Sequence, residues 1–104
     1  MEETLKKIGE IITNYESGEF KTLDKLRVLR RQLSFCHYQI TTEKIQYHKL
    51  FNEQVHKHQG SNVAAKSFAE TKVPELYLCR NILTSVKLVL DSMQQEISIM
   101  KNDN

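Results

Sequence analysis

Apolar side chains recur along this chain with the period of an α-helix almost from end to end. Leu5, Ile8, Ile12 and Tyr15 are spaced 3, 4 and 3 apart, which makes one stripe of a short helix over residues 2–16. Ser17 and Gly18 follow, and glycine accepts the left-handed backbone on which helices commonly end. From about Lys21 to His58 neither Gly nor Pro intervenes, and a heptad fits. Leu26, Leu33, Ile40 and Tyr47 recur every seven residues, with Leu29, Cys36 and Leu50 three beyond the first, second and fourth of them. Only Glu43 breaks the second line. His58-Gln59-Gly60-Ser61-Asn62 then forms a concentrated turn signal, with Gly60 as the helix stop and Ser61 or Asn62 as the next cap.

The segment from about residue 62 to 101 carries the most regular pattern. Leu76, Cys79, Leu83, Val86, Leu90, Met93, Ile97 and Met100 fill a and d positions, and Ile82 and Val89 at g widen the stripe beyond a two-helix seam. A stripe of that width asks for more than one partner helix. Either the first helix packs there or other copies of the chain do, and for a thin hairpin self-association is the more natural cover. Pro74 would cost roughly 3 kcal/mol inside a straight helix, so a kink or restart is expected near Thr71 to Pro74. The fold class is therefore all-α: a short N-terminal helix plus a long antiparallel, coiled-coil-like hairpin, forming one domain over residues 1–104. Arms of about 38 and 40 residues would reach roughly 55 to 60 Å. Folding about Gly60 puts residue 36 near residue 84, about five residues or ~7 Å along the axis from Cys79, so a bridge between the two thiols is not expected.

Composition agrees with one helical domain. The 104 residues include three Gly, one Pro and no Trp, too few turn formers for an all-β chain, while 39% apolar content separates the sequence from disordered ones. The net charge of +2 conceals a division. Residues 1–19 hold two Lys against five Glu, a balance of −3; residues 20–60 hold eight Lys or Arg against three acids, +5; the remainder has five of each sign. One basic segment could therefore meet an anionic partner. The acidic start is unlike an export signal and no apolar run approaches a membrane span. The expected location is a reducing cytoplasm, with Cys36 and Cys79 free.

Candidate chemistry is sparse. His48, His56 and His58 crowd one end of the second helix without Cys or carboxylate ligands at metal spacing, so neither a metal nor another cofactor is expected. A Gly-rich phosphate loop, a nucleophile elbow and opposed carboxylates are all lacking, and an enzyme is not expected. The second helix, however, places Arg30, His37, Lys44 and Phe51 at e and Arg31 and Tyr38 at f, a stripe of cations interleaved with rings. Lys25 and Arg27 extend it, as does Lys21. Cations neutralise phosphates and rings stack on unpaired bases, so Lys25, Arg27, Arg30, Arg31 and Lys44 with Tyr38 form the candidate nucleic-acid-binding set. Such a stripe also suits membranes or acidic proteins, and Tyr38 or Phe51 could instead pack inward. Leu76, Leu83, Val86, Leu90, Met93 and Ile97 form the candidate core or oligomer seam.

At the turn the chain reads Gly60-Ser61-Asn62-Val63-Ala64-Ala65-Lys66-Ser67-Phe68-Ala69-Glu70, followed by Leu83, Leu90-Asp91-Ser92-Met93-Gln94-Gln95 and Ile97 to Lys101. Over these forty or so residues it resembles the small phage-encoded proteins grouped with the UvsY-type recombination mediators, whose Gly-Ser/Thr-Val-Ala turn leads into a leucine-periodic final helix. Pro74 departs from that pattern. The resemblance implies a helical homo-oligomer in the host cytoplasm that binds single-stranded DNA and helps load a RecA-like recombinase onto strands coated by single-strand-binding protein, in DNA recombination or replication. The alternative is a structural or host-directed adaptor coiled coil that binds another protein without nucleic acid.

Overall fold

A computed structural model describes residues 1–18, 20–58 and 60–102. Four helices occupy them: α1 (Glu2–Glu16), α2 (Leu23–Lys57), α3 (Asn62–Lys72) and α4 (Pro74–Asn102). The protein is all-α, with α2 and α4 packed as a long hairpin and no strand among the described residues. Its extents of 62 × 25 × 18 Å are those of a rod. No helix among the described residues is long and apolar enough to cross a membrane.

Local chemistry sets the ends of these helices. Gly18 takes a φ of +74° beyond α1, where a side chain would be strained. Thr22 caps α2 and Ser61 caps α3, each hydroxyl accepting from a backbone N–H three residues on at 3.2 Å. Val73 leaves the helical region and buries its side chain, and Pro74 opens α4 at a position where a missing N–H costs nothing. Gly60 is not the left-handed stop its place in the sequence suggests. Its φ is not positive, and a Cβ there would come within 3.0 Å of the His58 ring. A side chain there would push that ring, which lies 5.1 Å from Phe68, aside by a few tenths of an ångström. Gln59 of the expected turn lies outside the described residues.

One continuous core runs along the rod. Leu26, Leu33 and Ile40 from α2 and Cys79, Val86, Met93 and Ile97 from α4 are buried together with Ile8 and Ile11 from α1. The wide stripe of α4 is covered in part within the chain: α1 packs mainly on α2 and reaches α4 at its two ends, while Ile82 and Val89 are half-buried against the shared core. Met1 Sδ stands 3.7 Å from Cys79 Sγ, and the Tyr15 hydroxyl is 2.8 Å from that of Ser92. Thus α1 runs parallel to α4 and antiparallel to α2. The break at Glu43 falls where α1 begins, with the Met1 ammonium 3.2 Å from Glu43 Oε1.

Two details of the simple heptad fail for geometric reasons. Leu50 is 45% exposed, whereas Phe51, expected on the cationic stripe, turns inward beside Val73, Pro74 and Leu76. A straight helix drifts about 20° per heptad relative to a 3.5-residue repeat, so by the fourth heptad the inward face has moved from Leu50 to Phe51. The hairpin register also differs from a fold about Gly60. Ser34 shares a hollow with Gln94, and Arg27 shares it with Lys101. Cys36 therefore stands opposite residues near 92 instead of 84, roughly 13 residues or ~20 Å from the level of Cys79. The separate helix α3, whose small Ala65 and Ala69 are buried, takes up this offset near the turn.

Candidate functional site

The open end of the hairpin, remote from the turn, brings α2 and the last turns of α4 together. There Arg27, Arg30 and Arg31 line one hollow of about 550 Å³ with Lys101 from α4. Ser34, Ser98 and Gln94 supply hydroxyl and amide groups, and the buried Ile97 lies at its base. Helical spacing explains the α2 contribution: residues 27, 30, 31 and 34 fall on one flank at intervals of three and four. Lys101 arrives only through the packing of α4, where a cation in the last turn also complements the helix dipole.

None of the four cations has a carboxylate within 4 Å among the described residues, whose single ion pair is the Met1–Glu43 contact. Arg30 is half-buried, and its Nε is buried without an acceptor. A cluster of like charges with unspent guanidinium donors is the arrangement that holds an anion, because each guanidinium can take a phosphate or carboxylate with two parallel hydrogen bonds. The residues are fixed mainly by the helices that carry them, and among the described residues no carboxylate lines the hollow.

The other candidate residues are placed differently. Tyr38 is 67% exposed on the outer crest of α2, two turns along from Arg31. Phe35, which the sequence pattern does not single out, is 59% exposed between them. Val28, Arg31, Phe35, Tyr38 and Ile45 form an outward row at intervals of three, four, three and seven, a second stripe that heptad counting could have found. Lys25 lies across the crest on the α1 side, with Asp24 and Phe20. Lys44 lines a separate hollow with His48 and Lys49, about 20 Å along α2 from Arg30. The structure therefore gathers Arg27, Arg30 and Arg31, sets Tyr38 nearby, and leaves Lys25 and Lys44 apart. Lys101 and Phe35 are the additions. The seam residues Leu76, Val86, Met93 and Ile97 are buried within the chain, and Leu83 and Leu90 are half-buried against the same core.

A second hollow of about 550 Å³ lies on the other flank of the α2 crest, between α1 and α2. Ile11, Phe35 and Cys36 form its apolar part and Lys7, Glu10 and Gln32 its polar groups. Arg31 lines both hollows.

Among the described residues no three His, Cys, Asp or Glu side chains gather as metal ligands. The thiols are free and buried. Burial pushes Cys36 above the usual thiol range against a smaller pull from Lys7, and Cys79 is raised by burial and then by Glu43 and Glu75. A folded state that keeps its proton longer than the unfolded chain loses stability as pH rises from the ordinary thiol value of about 8.5 through the raised one. Urea midpoints are accordingly expected to fall above about pH 8.5, and a Cys36→Ala/Cys79→Ala variant to show a shallower fall over that window. An unchanged pH profile in the variant would show that other groups set it.

Comparison with known proteins yields no matching family model, no matching curated protein and no matching solved structure.

Proposed function

We propose that this chain is a non-enzymatic binding module for single-stranded nucleic acid. The observation that carries the reading is the hollow in which Arg27, Arg30, Arg31 and Lys101 converge without a carboxylate partner among the described residues. Exposed Phe35 and Tyr38 on the adjoining crest supply faces on which unpaired bases stack. An open hollow beside exposed rings suits a flexible strand, which can splay its bases away from its phosphates, better than a closed duplex. Together with the resemblance of residues 60–101, this supports a role as a phage accessory protein of DNA recombination or replication, handing strands to a recombinase in the host cytoplasm. Self-association, which that resemblance implies, would draw on the half-buried Leu83 and Leu90 edge of α4.

Salt-titrated binding to fluorescent oligonucleotides tests the reading. For single strands the slope of log K against log salt is about −0.7 per neutralised phosphate, so four engaged cations predict a slope near −3. Undetectable binding at low salt would falsify the proposal. The adaptor alternative draws its support from the same crest, whose Val28, Phe35, Tyr38 and Ile45 could meet a protein partner. A partner captured after nuclease treatment, together with a flat salt response toward oligonucleotides, would favour it.

A further inference from the structure

The hollow between α1 and α2 differs in chemistry from its basic neighbour, although Arg31 lines both. Ile11, Phe35 and Cys36 present apolar surface, and Lys7, Glu10 and Gln32 add one ammonium, one carboxylate and one amide. A nucleobase has the matching construction, with flat faces that favour apolar contact and an edge of donors and acceptors. A second copy of this chain is a poorer occupant. The α2 crest and flanks carry Lys25, Arg27, Arg30, Arg31, Lys44 and Lys49 against Asp24 and Glu53, so two copies paired through α2 would bring cations together.

We infer that the α1–α2 hollow is a base pocket, filled by a nucleotide whose phosphate lies in the basic hollow across the α2 crest. This inference rests on the strand-binding reading above and adds selectivity to it. Glu10, through its carboxylate oxygens, accepts a hydrogen bond from an exocyclic amine, and Lys7 donates to a carbonyl. Cytosine and guanine carry both groups on one edge; thymine has no exocyclic amine, and adenine has no carbonyl. The pocket therefore favours cytosine or guanine over thymine. Both rim residues are exposed, so the preference belongs at the lower end of what such contacts supply. Phe35 acts independently of base identity, by stacking.

The test uses the full chain and three fluorescent strands of equal length: oligodeoxycytidine, oligodeoxythymidine and an abasic strand with the same number of phosphates, all at low salt and neutral pH. Oligodeoxycytidine is expected to bind about fivefold more tightly than oligodeoxythymidine, and the abasic strand at least about tenfold more weakly than either. Glu10→Ala is expected to bring the cytosine-to-thymine ratio to about one, whatever the removed negative charge does to overall affinity. Phe35→Ala is expected to weaken both base-bearing strands by about tenfold or more and to leave the abasic strand unchanged. Equal binding of all three strands would overturn the base pocket while leaving phosphate binding in the basic hollow intact. Cytosine-to-thymine discrimination that survives Glu10→Ala would also overturn it. Failure of all three strands to bind would remove the strand-binding reading itself, and the pocket with it.

Discussion

Leu33→Ala is expected to destabilise the hairpin by about 2–5 kcal/mol, measured by urea denaturation followed with far-UV circular dichroism. Leu33 has no solvent exposure and sits in the middle of the α2 line, between Leu26 and Ile40, which are equally inaccessible. Shortening it removes buried hydrocarbon and leaves a cavity in a rod only 25 × 18 Å across. The long helices on either side cannot collapse locally without breaking register along their length, which places the cost toward the upper part of that range. Domains of this size are stable by about 5–15 kcal/mol in total, so one such change removes a large share. Leu83→Ala and Leu90→Ala, at half-buried positions on α4, are expected to cost less than half as much. Equal costs at Leu33 and Leu90, with a midpoint that depends on protein concentration, would mean that another copy covers the Leu83–Leu90 edge in solution.

Charge reversal at Arg27, Arg30 and Arg31 to Glu is expected to lower affinity for a single strand by at least roughly 100-fold at low salt and to abolish the steep salt response. Three of the four cations in the hollow become anions, and Lys101 alone then faces them. Arg27 and Arg31 are exposed and Arg30 is half-buried, so helical content should change little, which the circular dichroism spectrum checks. Lys44→Glu serves as the comparison. It changes one charge in a different hollow about 20 Å away, roughly two screening lengths at 0.15 M salt, and at that salt should weaken binding only slightly. Comparable losses in both variants would place the strand along the whole of α2 instead of at its basic end.

The fold was largely legible because helices register in sequence as local periodicity. The α1 stripe, the unbroken α2 and the Pro74 restart each depend on residues within a few turns of one another. Leu50 and Phe51 show where counting by sevens stops working: the error is only 20° per heptad, yet it accumulates until neighbouring residues exchange faces. Gly60 shows a second limit, since its backbone takes no left-handed angle and it lies instead against the His58 ring. The site was half legible. Arg27, Arg30 and Arg31 share a flank by spacing alone, and Phe35 could have been added by following the outer row from Val28 to Ile45. Lys101 could not, because no local pattern links it to residues some seventy positions earlier.

What the sequence determined by itself is the set of helices and the placement of positive charge on the second of them, since both follow from intervals of three and four along one chain. Tertiary structure alone decided the pairing between helices. It laid α1 on α2 with its ends reaching α4, shifted the hairpin register so that Cys36 and Cys79 lie far apart, and carried Lys101 to the arginines. The physical reason is that side-chain period specifies which face of a helix is apolar but not which neighbour, or which level of that neighbour, will cover it. Here that cover goes with the small buried Ala65 and Ala69 near the turn, the break at Val73 and Pro74, and the packing of α1 on α2.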